Sequence, residues 1–408
     1  MTDAGPLDVL ITDARLLDGS VVSIGIAGDR YAWIGPASGR PTPAAQLVVA
    51  AEGGLVTESF VNAHLHLDKV FTLDDAGEGA LTAYTGGAMD AALDSIRYAS
   101  AMKAHYDLDV AIPRIRRALT DAVRFGNLHI QAFVDLDAAA GMRGFEAVAA
   151  VREEFADLLD VRIVAFPQDG LVHDPDAREL CEQAVAQGAD VVGGIPWVEF
   201  SDADADRHVQ WACALAARTG KRVAMLTDDA GDASLRTTAM LAEAMIAHGL
   251  TGRGTACHAR AVGRYEPPAV QRLIGLARRA GLSFVSDPHT GPLHLPVREF
   301  LDAGLPVALG QDDIEDAYYP FGRNNMLEVA FLAAHLLDFR TAADQRRLIE
   351  MVTTLAASAM GLTGHRIAVG NAADLCLQHA GRVVDVLRDH AAPRLVISRG
   401  RVVSPHPR

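Results

Sequence analysis

Cysteine is scarce in this chain, with four in 408 residues, at Cys181, Cys213, Cys257 and Cys376. No two form a Cys-x-x-Cys pair, which excludes a disulfide framework and a cysteine-ligated zinc site and fits reduced thiols in a cytoplasm. Positive charge is also short, since 37 Lys and Arg against 52 Asp and Glu leave a formal net charge of −15. A phosphate backbone needs a concentrated basic surface, so nucleic acid is not an expected partner. Arg114, Arg116 and Arg117 fall on an expected helix among apolar residues and read as a solvated face. No apolar run approaches the ~20 residues that span a bilayer. The opening Met-Thr-Asp-Ala-Gly-Pro has neither the basic region nor the apolar core of a signal peptide. The expectation is a cytoplasmic protein with no membrane partner.

What is present is the composition of a globular enzyme, with half the residues hydrophobic and 22% charged. A chain this long exceeds one ordinary core unless that core is a barrel of roughly 250 residues or more. One large and one small domain are therefore expected. Short β-rich runs, Asp8–Thr12, Val21–Ile26 and Tyr31–Ile34, are separated by Gly19, Gly28-Asp29 and Gly35-Pro36 and predict a small antiparallel sheet. Similar runs return at Asp374–Leu377, Val383-Val384 and Leu395–Val403. Strands at both ends around a different middle predict a small β domain from residues 1–57 and 366–408, with a catalytic domain over 58–365.

The middle alternates helical stretches, such as Leu81–His105, Ile112–Arg124 and Gly144–Leu159, with short β-branched runs. The runs are His129–Asp135, Val161–Phe166, Ala189–Ile195, Arg222–Leu226, Gly254–His258, Leu282–Ser286 and Val307–Leu309. With the run that carries His64 and His66 they number about eight, the count that closes a TIM (β/α)8 barrel. Gln168, Asp169, Asp228, Asp229, His258, Asp287, His289, Asp312 and Asp313 all fall at or just past C-terminal strand ends. In that barrel this rim is where active sites are built.

The organising stretch is Phe60-Val-Asn-Ala-His-Leu-His-Leu-Asp-Lys69. In a strand, side chains at i and i+2 share a face, so His64 and His66 project together. Two imidazoles and a carboxylate from Asp312 at the last strand end make a ligand set for zinc or divalent iron. Such an ion would acidify a water toward ~7 and supply hydroxide at neutral pH, with Asp312 also able to take the proton. His289 and His294 lie on a Gly/Pro-rich loop where they could meet a substrate or solvent, and His173 and His365 read as surface residues. Lys69 is positioned to pair with Asp68 or with an acidic substrate group.

Phe60–Asp68, Val164-Ala-Phe-Pro-Gln-Asp-Gly170, Gly188–Pro196, Gly310-Gln-Asp-Asp313 with Tyr319-Pro320, and Asn325-Met-Leu327 resemble the cytosine deaminase branch of the amidohydrolase superfamily. The likeness is collinear over nearly the whole chain. It implies a hydrolase with one divalent ion, Zn2+ or Fe2+, that removes an amino group from a small nitrogen heterocycle, and it implies a homo-oligomer. No lysine stands in Gly193–Pro196, so the carbamylated lysine of binuclear relatives is not expected. Carried over, His64, His66 and Asp312 are metal ligands and His258 orients the attacking water. Gln168 hydrogen-bonds the heterocycle's amide edge, with Phe166, Phe133, Asp313 and Tyr318 around it.

The departures are as informative. Where the family has His-x-Asp-Glu, this chain reads Leu226-Thr-Asp-Asp229, so a ligating histidine becomes leucine and the proton-shuttling glutamate becomes Asp229. Phe133 and Gln311 stand where the family has two further histidines. Asp228 shares the face of Leu226 if the strand continues, and Asp228, Asp229 or His258 could supply a fourth ligand. The expected function is metal-dependent hydrolysis of a C–N bond in a heterocycle other than cytosine, with Asp229 protonating the leaving or ring nitrogen and His258 stabilising the oxyanion. The alternatives are a barrel repurposed for cyclisation, isomerisation or elimination, with or without metal, and a binding protein without catalysis.

Overall fold

The computed structural model describes residues 7–37, 43–76, 103 and 107–404. The helix expected over Leu81–His105 falls on residues of which only Lys103 is described. Eight parallel strands form one sheet: β6 (Phe60–His66), β7 (Asn127–Asp135), β8 (Asp160–Phe166), β9 (Val191–Gly194), β10 (Arg222–Thr227), β11 (Gly254–His258), β12 (Ser283–Ser286) and β13 (Val307–Leu309). They neighbour one another in chain order, and a bridge between Leu65 and Asp312 brings the last strand end back to the first. This is the TIM barrel that the spacing of β-branched runs predicts.

The strands alternate side chains between two cores. Val164, Val191, Ala224, Cys257, Val285 and Ala308 point inward, while Ile130, Ile163, Val223, Ala256 and Phe284 face the helices, and β6 departs from strict alternation at an irregularity between Asn62 and Leu65. The helix Thr354–Met360 plugs the lower mouth, where Ala359 and Met360 accept from Thr255, Arg222 and Arg162. Helix ends are set locally. Ser201 caps Asp202–Thr219, and Gly220, at φ 71°, ends it in the left-handed conformation that glycine tolerates best.

The terminal segments fold apart from the barrel as two four-stranded sheets. β1 (Leu7–Arg15), β2 (Val21–Ala27), β3 (Arg30–Pro36) and β4 (Ala45–Ala50) form one, and β5 (Val56–Glu58), β14 (Leu375–Leu377), β15 (Leu395–Ser398) and β16 (Arg401–Ser404) form the other. Ile11, Ile24, Ile26 and Tyr31 pack on Leu375, Leu377 and Ile397, so both chain ends build one core. Three expectations change here. The first sheet is mixed, because β4 runs parallel to β1. Val383-Val384 opens a helix, Val383–Asp389, whose Val386 and Leu387 are buried. Leu395–Val403 is a hairpin, turned at Arg399 and Gly400, both at positive φ. Among the described residues no helix is long and apolar enough to cross a membrane.

Candidate active site at the C-terminal rim of the barrel

His64 and His66 reach the barrel axis from β6 as their spacing predicts. His64 Nε2 lies 3.0 Å from Asp312 Oδ1, His66 Nε2 3.7 Å and His258 Nε2 3.8 Å from the same oxygen. Three imidazoles from two strands thus converge on one carboxylate. The chain permits this approach at Gly310, where a Cβ would stand 2.3 Å from Asp287 Oδ1 and 2.7 Å from His64 Cβ. Asp312 itself sits at φ 66°. Its backbone is pinned on both sides, by Asp312 N donating to His64 O and His66 N donating to Asp312 O.

Electrostatics favour a cation at this point. Burial pushes the His66 and His258 pKa values well down, which leaves neutral imidazoles whose lone pairs can be donated. Burial opposes ionisation of Asp312, but His258 and His64 beside it hold its carboxyl well below the usual range. Nδ1 of His64 and Nδ1 of His66 are buried without a hydrogen-bond partner, and the 3.0 Å approach of His64 Nε2 to Asp312 lacks hydrogen-bond geometry. Buried imidazole nitrogens left unpaired around a carboxylate are what a divalent ion would satisfy, through the lone pair on one nitrogen of each ring. His64, His66 and Asp312 place ligand atoms within 4.8 Å of one another, and so do His64, His258 and Asp287.

A cavity opens above this cluster. Its polar lining includes Gln168, Asp229, His258, Arg260, Asp313 and Tyr318. Its apolar lining includes Pro292, Leu293 and a wall of Ile195, Trp197, Leu226 and Ala230 that pack in one cluster. Leu226 therefore faces the cavity, where it offers packing and no lone pair. Burial raises the Asp229 carboxyl to about 7, opposed by Arg260 and reinforced by Asp312. Burial, with Asp312 and Asp316 nearby, pushes Asp313 well above the carboxylate range.

Not every expected side chain reaches the cavity. Phe133 and Phe166 stack behind the histidines, with ring centroids 4.2 Å from His64 and 5.5 Å from His66 respectively, and do not line it. Asp228 is no fourth ligand. Its φ of 48° ends the strand at Thr227 and turns the carboxylate to Thr237 N, Thr237 Oγ1 and Tyr265 Oη. Lys69 pairs with Asp135 at 3.1 Å and donates to Gln168, which itself lines the cavity. His289 Nε2 contacts Gln311 O at 3.0 Å, and the next residues of its loop, Thr290 to Leu293, meet the cavity in its place. His365 is half-buried against Ser59 O.

Arg260 is the residue that sequence reasoning missed. Its Nε lies 3.1 Å from Asp229 Oδ1, and its Nη2 donates to Thr290 Oγ1 at 2.7 Å and contacts His258 Nδ1 at 3.2 Å. His258 and Ala259, both at positive φ, fold the chain back so that a cation two residues past the histidine returns to the rim.

The sequence profile of the amidohydrolase family matches residues 47–404. The chain is 28% identical over 408 residues to N-isopropylammelide isopropyl amidohydrolase of Pseudomonas sp. strain ADP, covering 97% of each. It is 28% identical over 366 residues to pterin deaminase of Rhizobium rhizogenes, covering 86% of this chain and 80% of that one. The crystal structure of 5-methylcytosine deaminase from Klebsiella pneumoniae liganded with 5-fluorocytosine superposes with a TM-score of 0.89 at 28% identity, covering 98% of this chain and 99% of the other. With this barrel, this rim and this match over most of its length, the chain belongs to the amidohydrolase family and is a hydrolase acting on carbon–nitrogen bonds other than peptide bonds.

Proposed function

We propose that the protein uses one divalent ion, Zn2+ or Fe2+, to hydrolyse an exocyclic C–N bond of a small nitrogen heterocycle. The observation that carries this reading is the convergence of His64, His66 and His258 on Asp312 Oδ1 beneath the cavity. The relatives are named for nitrogen heterocycles, which supports that substrate class. His64, His66 and Asp312 would hold the ion, which when bound supplies Lewis-acid activation of water.

The chain's own groups divide the remaining work. Asp312 can accept a proton at Oδ2, 3.7 Å from the Arg260 guanidinium. Asp229, raised to about 7, changes protonation state near neutral pH and can carry a proton to the leaving or ring nitrogen. His258 and Arg260 stand on the same side of the cavity, where donors would stabilise negative charge developing on the attacked carbon's substituent. Gln168, Asp313 and Tyr318 contact the ring, with Phe133 and Phe166 as the support that fixes the histidine rings. The apolar wall around Trp197 and Leu226 excludes water and accommodates a ring face or an alkyl group.

Elemental analysis of protein purified without a metal-affinity tag, beside a His64→Ala/His66→Ala control, tests the reading. About one zinc or iron per chain that is absent from the control, together with release of ammonia or an alkylamine from substituted pyrimidines, triazines or pterins, is the expected result. Protein that stays folded and metal-free after incubation with either ion would overturn it. That outcome would favour acid/base chemistry by Asp229 and His258, for which Leu226 at a ligand position is the present support.

A further inference from the structure

Lys69 fixes which end of the Gln168 amide faces a substrate. Lys69 Nζ donates to Gln168 Oε1 at 2.9 Å and to Asp135 Oδ1 at 3.1 Å and Oδ2 at 3.2 Å, and it lies 5.4 Å from the Tyr318 ring centroid. An ammonium only donates, so the amide must turn its oxygen to Lys69 and its NH2 away, toward the cavity that Gln168 lines. The holder is itself held. Asp135 Oδ2 lies 2.9 Å from Lys103 Nζ, and Asp135 N donates to Asp68 Oδ2 at 3.0 Å. Lys69, Lys103, Asp135 and Gln168 are all buried, so flipping the amide would set two donors face to face with no water to separate them. The two ammonium groups also exclude the nearby trio His66, Asp68 and Asp135 as a second cation site, although its ligand atoms lie within 4.8 Å of one another.

We propose that Lys69 is a positioning residue that locks the Gln168 amide, so that the ring substituent read here is a hydrogen-bond acceptor, a carbonyl oxygen, and not an amino group. This rests on the heterocyclic substrate proposed above and sharpens it. An amide edge needs a donor and an acceptor in either order, whereas the locked glutamine presents its donors in one fixed place.

The test uses the zinc-loaded full-length enzyme and a pair of probes, cytosine and 2,4-diaminopyrimidine, which differ in carbonyl against amino at C2 and in N–H against bare nitrogen at N1. Calorimetric titration is expected to favour cytosine by at least about tenfold in the wild type, the scale of leaving a buried donor unmatched. Lys69→Met is expected to shrink that ratio, Lys69→Arg to keep it, and Gln168→Glu, which presents an acceptor, to invert it. If Lys69→Met does not fold, Lys69→Gln, whose amide both donates and accepts, takes its place. A ratio unchanged in these Lys69 variants, or a wild-type preference for the diamine, would overturn the proposal.

A second arm needs no substrate. In a thermal-unfolding cycle of Lys69→Met, Gln168→Met and the double variant, the double variant is expected to cost less than the two singles together, and strict additivity would overturn the lock. If neither probe binds the wild type, that result counts against the heterocyclic reading, and the cycle alone decides the lock.

Discussion

Asp312 is joined to His64 twice, through its backbone N–H to the His64 carbonyl at 2.9 Å and through Oδ1 to His64 Nε2 at 3.0 Å. The first contact belongs to the bridge that closes the barrel, and the second belongs to the proposed metal site. The same residue therefore sets the geometry of the last strand end and offers a carboxylate on the axis.

The two roles separate in Asp312→Asn. The backbone bridge survives, and asparagine tolerates the φ of 66° at little cost, whereas alanine there would add roughly 1–2 kcal/mol of strain. Thermal stability is expected to stay near that of the wild type while metal affinity falls. Losing an outer partner of a ligand costs about 10–100-fold in affinity, so losing the carboxylate itself is expected to cost more. Chelator competition would measure it, and wild-type affinity in Asp312→Asn would remove Asp312 from the ligand set.

The barrel was legible because the short apolar runs end in polar groups, a pattern that the strands from β6 to β13 display except β9, which runs on into Ile195-Pro196. His64, His66 and Asp312 were legible for the same reason, since period-two spacing and strand ends fix direction without knowledge of loops. What stayed hidden lies past the strand ends. Arg260 returns to the rim only because His258 and Ala259 take positive φ, and Asp228 leaves it because it does too. Strand alternation carries no information once the backbone turns left-handed. Trp197 and Leu293 reach the cavity from short turns whose direction tertiary packing sets. Val383-Val384 misled because two β-branched residues are too few to distinguish a strand from the first turn of a helix.

Leu226 bears on how many ligands the site has. It is the penultimate residue of β10, one before Thr227, which pairs with His258, and it lines the cavity with His66. Leu226→His would put a third strand's imidazole beside His64 and His66 at similar side-chain volume. Metal affinity is expected to rise about tenfold or more, because a fourth protein ligand completes a tetrahedral set. Turnover of the native substrate is expected to fall, as the apolar wall and the open coordination position are both lost. An unchanged affinity would show that Leu226 lies outside reach of the ion.

Beneath the site, three asparagines tie the first two strands to the segment before the helix Met326–Leu336. Asn324 Oδ1 accepts from Asn127 Nδ2 at 2.7 Å and from Asn62 Nδ2 at 3.1 Å, while Asn324 Nδ2 donates to Ala118 O. Asn62 Oδ1 in turn accepts from Gln311 N at 3.0 Å, one residue before Asp312. Asn324→Ala orphans two buried donors and one carbonyl at a residue with φ 61°. A destabilisation of roughly 3–5 kcal/mol is expected from these losses together, measured by chemical denaturation, with metal affinity falling as well. A loss under about 1 kcal/mol would mean that water replaces the network.

The Asp229 carboxyl, raised to about 7 by burial, gives two pH dependences of known sign. If the carboxylate is the form that accepts a proton, kcat/KM rises with pH through that pKa, and Asp229→Asn removes the limb along with most activity. Arg260, with Nε at 3.1 Å, favours the ionised form, so Arg260→Met is expected to move the limb toward alkaline pH. A shift toward acid would contradict the pairing. Stability provides the independent check. An unfolded aspartate titrates near ~3.9, so between that value and about 7 the folded metal-free chain binds more protons at this group than the unfolded chain does. Asp229 therefore subtracts stability as pH rises through this window. Thermal melts of the metal-free protein are expected to show Asp229→Asn more stable than the wild type near pH 8, with the difference shrinking toward pH 4. A difference of the opposite sign would mean that Arg260 outweighs burial and that Asp229 stays ionised throughout.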